Sequence, residues 1–364
     1  MRILRTYILR ELLQPTGMAL VLFTFVLLVG NLVKLTDLLV NKGVSLLAIL
    51  QMFSLLVPTL LSYTVPMAIL TGTLLAFGKL SSDREILAMK ASGIGFLSIA
   101  SPVLLVGFLV SLALVPVNTH VVPWSHYATR QVLLDVGIRN PTAFLEAGTF
   151  IKEFKPYILF IYQVEGNRLS KVRIYEPAEG RPTRTIVAER GEFIPIPKER
   201  RVLLKLYDGA GDEPDPKDPR KYNKLLFRTY TIHLTLAEGR DPAALPRKPK
   251  DMSHPQLRRE MARLAQQGID PAPLRVELHR RIAMAFCPFV FVLTALPLGI
   301  TTRRAQRSIG FGVSVILFLG YYLFLVLGQA LAEKGMIPVA LGLWIGNLVF
   351  LALGSLLLWR TCRQ

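Results

Sequence analysis

Leu12–Val33, LLQPTGMALVLFTFVLLVGNLV, runs for 22 residues without an aspartate, glutamate, lysine or arginine. A hydrocarbon core of about 30 Å needs roughly 20 helical residues at 1.5 Å each, so this run is long enough to cross a bilayer. Five further stretches share the property: Gly43–Gly78, Ala91–Thr129, Ile282–Thr302, Ser308–Ala332 and Gly335–Trp359. Three precede and three follow a charged middle segment, and the 52% hydrophobic content accommodates six spans plus a water-exposed domain. One such run can be the buried helix of a soluble enzyme, whereas six together define a polytopic α-helical membrane protein. The first run is too long for a signal peptide and no small-residue cleavage site follows it, so it is expected to stay in the mature chain.

The short loops set an expected orientation. Arg2, Arg5 and Arg10 precede span one; Lys79, Arg84 and Lys90 separate spans two and three; Arg303, Arg304 and Arg307 separate four and five; Arg360 and Arg363 end the chain. The opposite short loops hold only Lys34, Lys42 and Lys334. By the positive-inside rule both termini are cytoplasmic and the central domain is extracytoplasmic. The net charge is +18, of which Arg130–Arg281 carries +9. Much of the remainder sits at membrane borders, where anionic headgroups are the nearer partners, so nucleic-acid binding is not supported. The two cysteines, Cys287 in span four and Cys362 near the end, are expected in different environments, leaving the outer domain without a disulfide framework.

From about Ala143 the pattern changes to short β-like phrases: Phe150–Ile151, Tyr157–Val164, Lys171–Tyr175, Thr185–Ala188, Val202–Tyr207 and Leu225–Leu236. Branched and aromatic residues interleaved with polar ones predict a sheet with one wet face, a sandwich or open barrel of about 100 residues. Asp208–Arg220, with two glycines and three prolines among acids and bases, reads as a loop. Met252–Gln267 reads as a helix, either lying on the outer membrane border or packed under the β domain. Residues 1–129 thus form spans one to three, 130–250 the β domain, 251–281 a connector and interfacial helix, and 282–364 spans four to six. Prolines 58, 66, 102, 116, 288 and 297 lie in or beside spans, where each removes a helical hydrogen bond that hydrocarbon does not replace.

Ser82 and Glu85 have capping-box spacing, and Gly93 is a C-terminal stop, predicting a short cytoplasmic helix over 82–93. Such a helix either lies as a membrane-surface turn or transmits force from a partner that grips Arg84, Glu85 and the apolar Met89. Gly72–Leu80 imitates a phosphate loop, but its glycine spacing is one residue too long and Leu80 has no hydroxyl for magnesium. Any ATPase is therefore a separate chain. Lys34 and Lys42, flanking the outer end of span one, and Arg280 and Arg281, before span four, are candidate contacts for anionic headgroups or plain interfacial anchors. The five histidines have no metal-ligand spacing, and neither a catalytic triad nor a paired-acid site is apparent.

Arg5-Thr6-Tyr7-Ile8-Leu9-Arg10-Glu11, Glu85-Ile86-Leu87-Ala88-Met89-Lys90-Ala91-Ser92-Gly93 and Glu277-Leu278-His279-Arg280-Arg281-Ile282-Ala283, in this order within a three-plus-three layout, resemble the LptF/LptG (YjgP/YjgQ) permease family over essentially the whole chain. The Glu277-Leu278-His279 phrase is nearer the LptF branch, although Arg280 stands where that branch often has tryptophan. The resemblance implies a subunit of a lipopolysaccharide exporter in the bacterial inner membrane, paired with a homologous LptF/LptG subunit. It further implies an LptB-like ATPase dimer, with ATP and magnesium bound there and no cofactor in this chain. The outer domain would be a periplasmic β-jellyroll handing lipid to an LptC-like bridge protein. Arg84, Glu85, Leu87, Met89 and Lys90 would form the coupling surface, and Lys34 would meet phosphates. An ion-coupled secondary transporter and a membrane scaffold or sensor remain as alternatives.

Overall fold

The computed structural model describes residues 2–40, 44–139, 150–151, 154, 156–165, 168–178, 181–196, 201–214, 222–234, 247–301 and 307–363. Helices α1 (Arg2–Val40), α2 (Leu46–Ser82), the short α3 (Glu85–Ala91), α4 (Phe96–Pro116) and α5 (Val122–Arg139) precede six strands. A 3-10 turn at Pro249–Asp251, α6 (His254–Gln266), α7 (Ala272–Thr301), α8 (Arg307–Glu333) and α9 (Val339–Arg363) follow them. The chain divides into two compact units, one of residues 1–31, 55–127 and 248–364, the other of residues 32–54 and 128–247.

Six helical segments are long and apolar enough to cross a membrane. In the first unit α7 is the central one: 78% of its most apolar window is buried, against 17% to 39% for the other five. Its Val292 and Leu296 pack with Ile8, Leu12, Phe77, Leu80 and Ile99. On its other side Phe291 meets Tyr321 and Phe350 edge-on, at ring-centroid distances of 5.1 and 5.7 Å. The α7, α8 and α9 helices also share a buried polar junction. Tyr321 donates to Asn347 Oδ1 (3.1 Å), and Asn347 Nδ2 donates to the Ala283 carbonyl (2.9 Å). Without a hydrophobic drive between helices in lipid, such bonds and close packing hold the bundle. The prolines lie within helices α2, α4 and α7, and a π-helical turn, Val117–Val121, directly follows Pro116.

The second unit contains strands β1 (Phe150–Ile151), β2 (Ile158–Glu165), β3 (Arg168–Ala178), β4 (Arg181–Ile196), β5 (Arg201–Pro214) and β6 (Tyr222–Leu234). They form one antiparallel sheet in the order β1-β2-β3-β4-β5-β6. Each strand pairs with its chain neighbour, an up-and-down meander among the described strands. One face carries the core, including Phe154, Leu159, Ile161, Val172, Phe193 and Leu204.

One expectation is corrected. Strands β3, β4 and β5 are longer than the β-rich phrases that announce them, and Asp208–Pro214 belongs to β5 rather than to a loop: Gly209 pairs with Phe227 and Gly211 with Leu225. Gly209 gives the Phe227 ring its room, since a Cβ there would lie 2.5 Å from Cζ. The helix that carries the fourth apolar run begins at Ala272, ten residues before Ile282, so Glu277, Arg280 and Arg281 lie on that helix.

Candidate functional site

The turn between α2 and α3 places the coupling candidates. Ser82 ends α2 and Arg84, not Ser82, is the N-cap of α3, in the left-handed region at φ 59° with no side-chain cap. The predicted capping box is therefore absent, because Glu85 is engaged elsewhere: its Oε2 accepts a hydrogen bond from the Tyr7 hydroxyl at 2.7 Å. The predicted stop is present. Gly93 has φ 81°, its N–H bonds the Lys90 carbonyl and that of Ile94 the Met89 carbonyl, which satisfies the last carbonyls of α3 in a Schellman arrangement.

Seven residues are too few for a helix to persist alone, so tertiary contacts hold α3. Ile86 is buried and Met89 half-buried against Ile8, Phe77 and Phe96. Met89 thus packs against the core of this chain itself, while Arg84 and Leu87 are exposed. Lys90 Nζ donates to the Thr361 carbonyl at 3.2 Å and lies 5.5 Å from the Phe96 ring centroid. Through Tyr7 and Thr361 the short helix is tied to the beginning of α1 and the end of α9. Sequence reading assigned neither residue a role, because these ties join positions 78 and 271 apart.

Beside this helix, Lys79 and Glu11 form an ion pair of 2.8 Å. The pair borders a cavity of about 1180 Å³ between α1, α2 and α8, with walls that include Met18, Leu22, Phe25, Leu75 and Phe311. Phe23 and Phe311 stack at 5.5 Å where α1 meets α8.

The headgroup candidates are divided. Lys34 lies on the helical backbone of α1 and its side chain is outside the described residues, as is the whole of Lys42. Arg280 donates from Nε and Nη2 to Glu277 at 3.1 and 3.2 Å, and a fifth of its side chain is exposed. Arg281 is buried. Its Nε donates to Glu277 (2.8 Å), Nη1 to the Met252 carbonyl (2.6 Å) and Nη2 to the carbonyls of Pro249 (2.9 Å) and Lys250 (3.1 Å). With its guanidinium enclosed by these acceptors, Arg281 has the geometry of an anchor joining α7 to the connector, not of an exposed phosphate contact. Its own carbonyl accepts from Asn118 Nδ2 at 3.3 Å, in the π-helical turn. Nearby, burial and the charges of Arg258, His120 and Arg281 hold His254 below the usual imidazole pKa.

What the first unit offers is this largely apolar cavity between α1, α2 and α8, and no group of three His, Cys, Asp or Glu among the described residues is arranged to hold a metal. Membrane-length helices packed around an apolar cavity are the construction of a polytopic membrane transport protein. The family model for the lipopolysaccharide export system permease LptF/LptG matches residues 6–360, and the chain belongs to that family. It is 24% identical to the lipopolysaccharide export system permease protein LptF of Escherichia coli strain K12 over 360 residues, 98% of this chain and 94% of the relative. The LptF protein of Shigella flexneri is similar to the same extent. An uncharacterized protein of Rickettsia prowazekii is 22% identical over 218 residues, 58% of this chain and 60% of that protein. The chain is an inner-membrane permease of lipopolysaccharide export, on the LptF side of its family.

Proposed function

We propose that this chain is one transmembrane subunit of an ATP-driven machine that extracts lipopolysaccharide from the inner membrane and passes it to a periplasmic bridge. It pairs with a homologous LptF/LptG subunit, rests on an LptB-like ATPase dimer and delivers cargo to an LptC-like protein. Both termini are cytoplasmic and the sheet is periplasmic, serving as the jellyroll-like receptacle. Extraction has to offset about 0.8 kcal/mol for each methylene taken from hydrocarbon towards water, which a passive pore does not supply.

One observation carries this reading: α3 is bonded to α1 through Tyr7 and to α9 through Thr361, with Arg84 and Leu87 left outward for a partner. A displacement of α3 by the ATPase is delivered directly to α1, which lines the cavity, and narrows it. Glu85 and Lys90 carry the motion into the bundle. Arg280, Lys34 and Lys42 meet cargo phosphates at the outer end, and Arg281 holds the connector. Glu85→Arg puts a cation beside the Tyr7 hydroxyl and removes the acceptor. In nanodiscs with the partner subunits the variant should assemble and hydrolyse ATP while losing most lipid extraction. Normal ATP-coupled extraction by the variant would show that α3 does not transmit the stroke through this bond.

A further inference from the structure

The sheet of the second unit is creased along one row. Ile161 pairs with Val172 and Gln163 with Ser170; Val172 pairs with Ala188 and Ser170 with Arg190. Ala188 pairs with Gly209 and Arg190 with Tyr207; Gly209 pairs with Phe227 and Tyr207 with Thr229. Between these pairs, on five successive strands, lie Tyr162, Lys171, Glu189, Asp208 and Arg228, and the ladder skips all five. Burial changes phase at the same row: Leu169 and then Val172 are buried on β3, Ala188 and then Gly191 on β4. Lys171 and Asp208 have φ of 54° and 53°, left-handed conformations that residues other than glycine rarely adopt. Strain concentrated in one row of aligned residues is typical of a place where side chains are aimed for use.

Those side chains border a hollow of about 790 Å³, within the range of ligand pockets. Three of its cations, Lys171, Arg173 and Arg228, have no ion-pair partner among the described residues, whereas Asp208 is taken by Arg190 at 2.6 Å. The Arg173 guanidinium lies 5.7 Å from the centroid of the exposed Tyr162 ring. Leu226, 75% exposed, supplies an apolar wall, and Glu189 adds an acceptor.

We propose that this hollow binds a phosphorylated saccharide. Cations in forked geometry suit phosphate oxygens. Tyr162 and Leu226 suit the C–H faces of a sugar ring, while Glu189 and the main-chain groups left out of the ladder suit its hydroxyls. An ordinary solvated charged face has no need of a coherent break across five strands. The ligand is either the polar part of the exported glycolipid, which rests on the permease reading above, or a free sugar phosphate.

The test is calorimetric titration of the full-length chain in nanodiscs, without ATPase, so that failure of ATP coupling leaves the result untouched. Four probes are compared: lipid-free phosphorylated oligosaccharide released from lipopolysaccharide by mild acid, the same oligosaccharide after phosphatase treatment, glucose 6-phosphate and inorganic phosphate. The first probe should bind, and phosphatase treatment should weaken it by roughly tenfold or more, the scale of a lost charge-assisted hydrogen bond. Glucose 6-phosphate binding as tightly as the oligosaccharide supports the site with the free sugar phosphate as its source, and much weaker binding supports the glycolipid. Arg173→Gln with Arg228→Gln should abolish binding at unchanged thermal stability. Lys171→Gly, which relieves the left-handed backbone while removing a cation, should also weaken it. Equal binding of inorganic phosphate, equal binding after dephosphorylation, no binding of either sugar probe, or wild-type affinity in the Lys171→Gly chain overturns the proposal.

Discussion

Arg281 and Arg280 are adjacent in sequence and opposite in consequence. Arg281, with 6% of its side chain exposed, joins Glu277 to three carbonyls of the 249–252 turn. Replacing it with alanine leaves a buried carboxylate with one partner fewer and strips those carbonyls of their donors, a loss of about 3–5 kcal/mol. Arg280→Ala keeps the Arg281 bond to Glu277 and removes a more exposed partner, so its cost is about 1 kcal/mol. Hydrogen exchange at residues 250–252 measures the difference: protection should collapse in Arg281→Ala and persist in Arg280→Ala. Lysine at 281 rescues little, because a point donor does not reproduce a planar fork spanning several acceptors. The pair was legible as charge near a membrane border. That the second arginine reaches a turn 29 to 32 residues earlier was not, since nothing local marks a contact made only after the connector folds back.

Among elements, α8 and α9 cross where Gly328 meets Gly342, so closely that a Cβ on Gly328 would overlap the Gly342 backbone. Backbone at the contact has no rotamer with which to yield. Gly328→Val should force the helices apart at a cost of about 1–3 kcal/mol, seen as a lower unfolding temperature in detergent. Gly320 lies in the same helix with nothing within 4 Å of its would-be Cβ, so Gly320→Ala should be neutral or slightly stabilising through helix propensity. Equal effects of the two changes would remove the crossing as the cause. The spans themselves were readable because absence of charge over 20 residues is a property of composition. The centrality of α7 was not, for its mean hydropathy of 2.1 falls within the 1.8 to 2.3 of the others, and only packing separates a helix facing helices from one facing lipid. Likewise the end of β5 follows loop composition because glycine and proline preferences are local, whereas the Phe227 ring that requires Gly209 comes from the next strand.

At the scale of the molecule, the proposed export stroke requires α3 and the sheet to act in different compartments. The native cysteines supply half of a direct test: Cys287 is buried and silent, while Cys362 is exposed near the end of α9, next to the Thr361 carbonyl that holds Lys90. The other half is Leu226→Cys, an exposed position on β6 that belongs to none of the six membrane-length helices. A membrane-impermeant maleimide applied to spheroplasts, whose outer surface is the periplasmic one, should label Leu226→Cys and spare Cys362. Applied to inverted vesicles it should do the reverse. Labelling of both from one side would place the gripping surface and the sheet in a single compartment. A stroke delivered at α3 would then have no bilayer to work across, and the basic loops would have to be explained by something other than insertion.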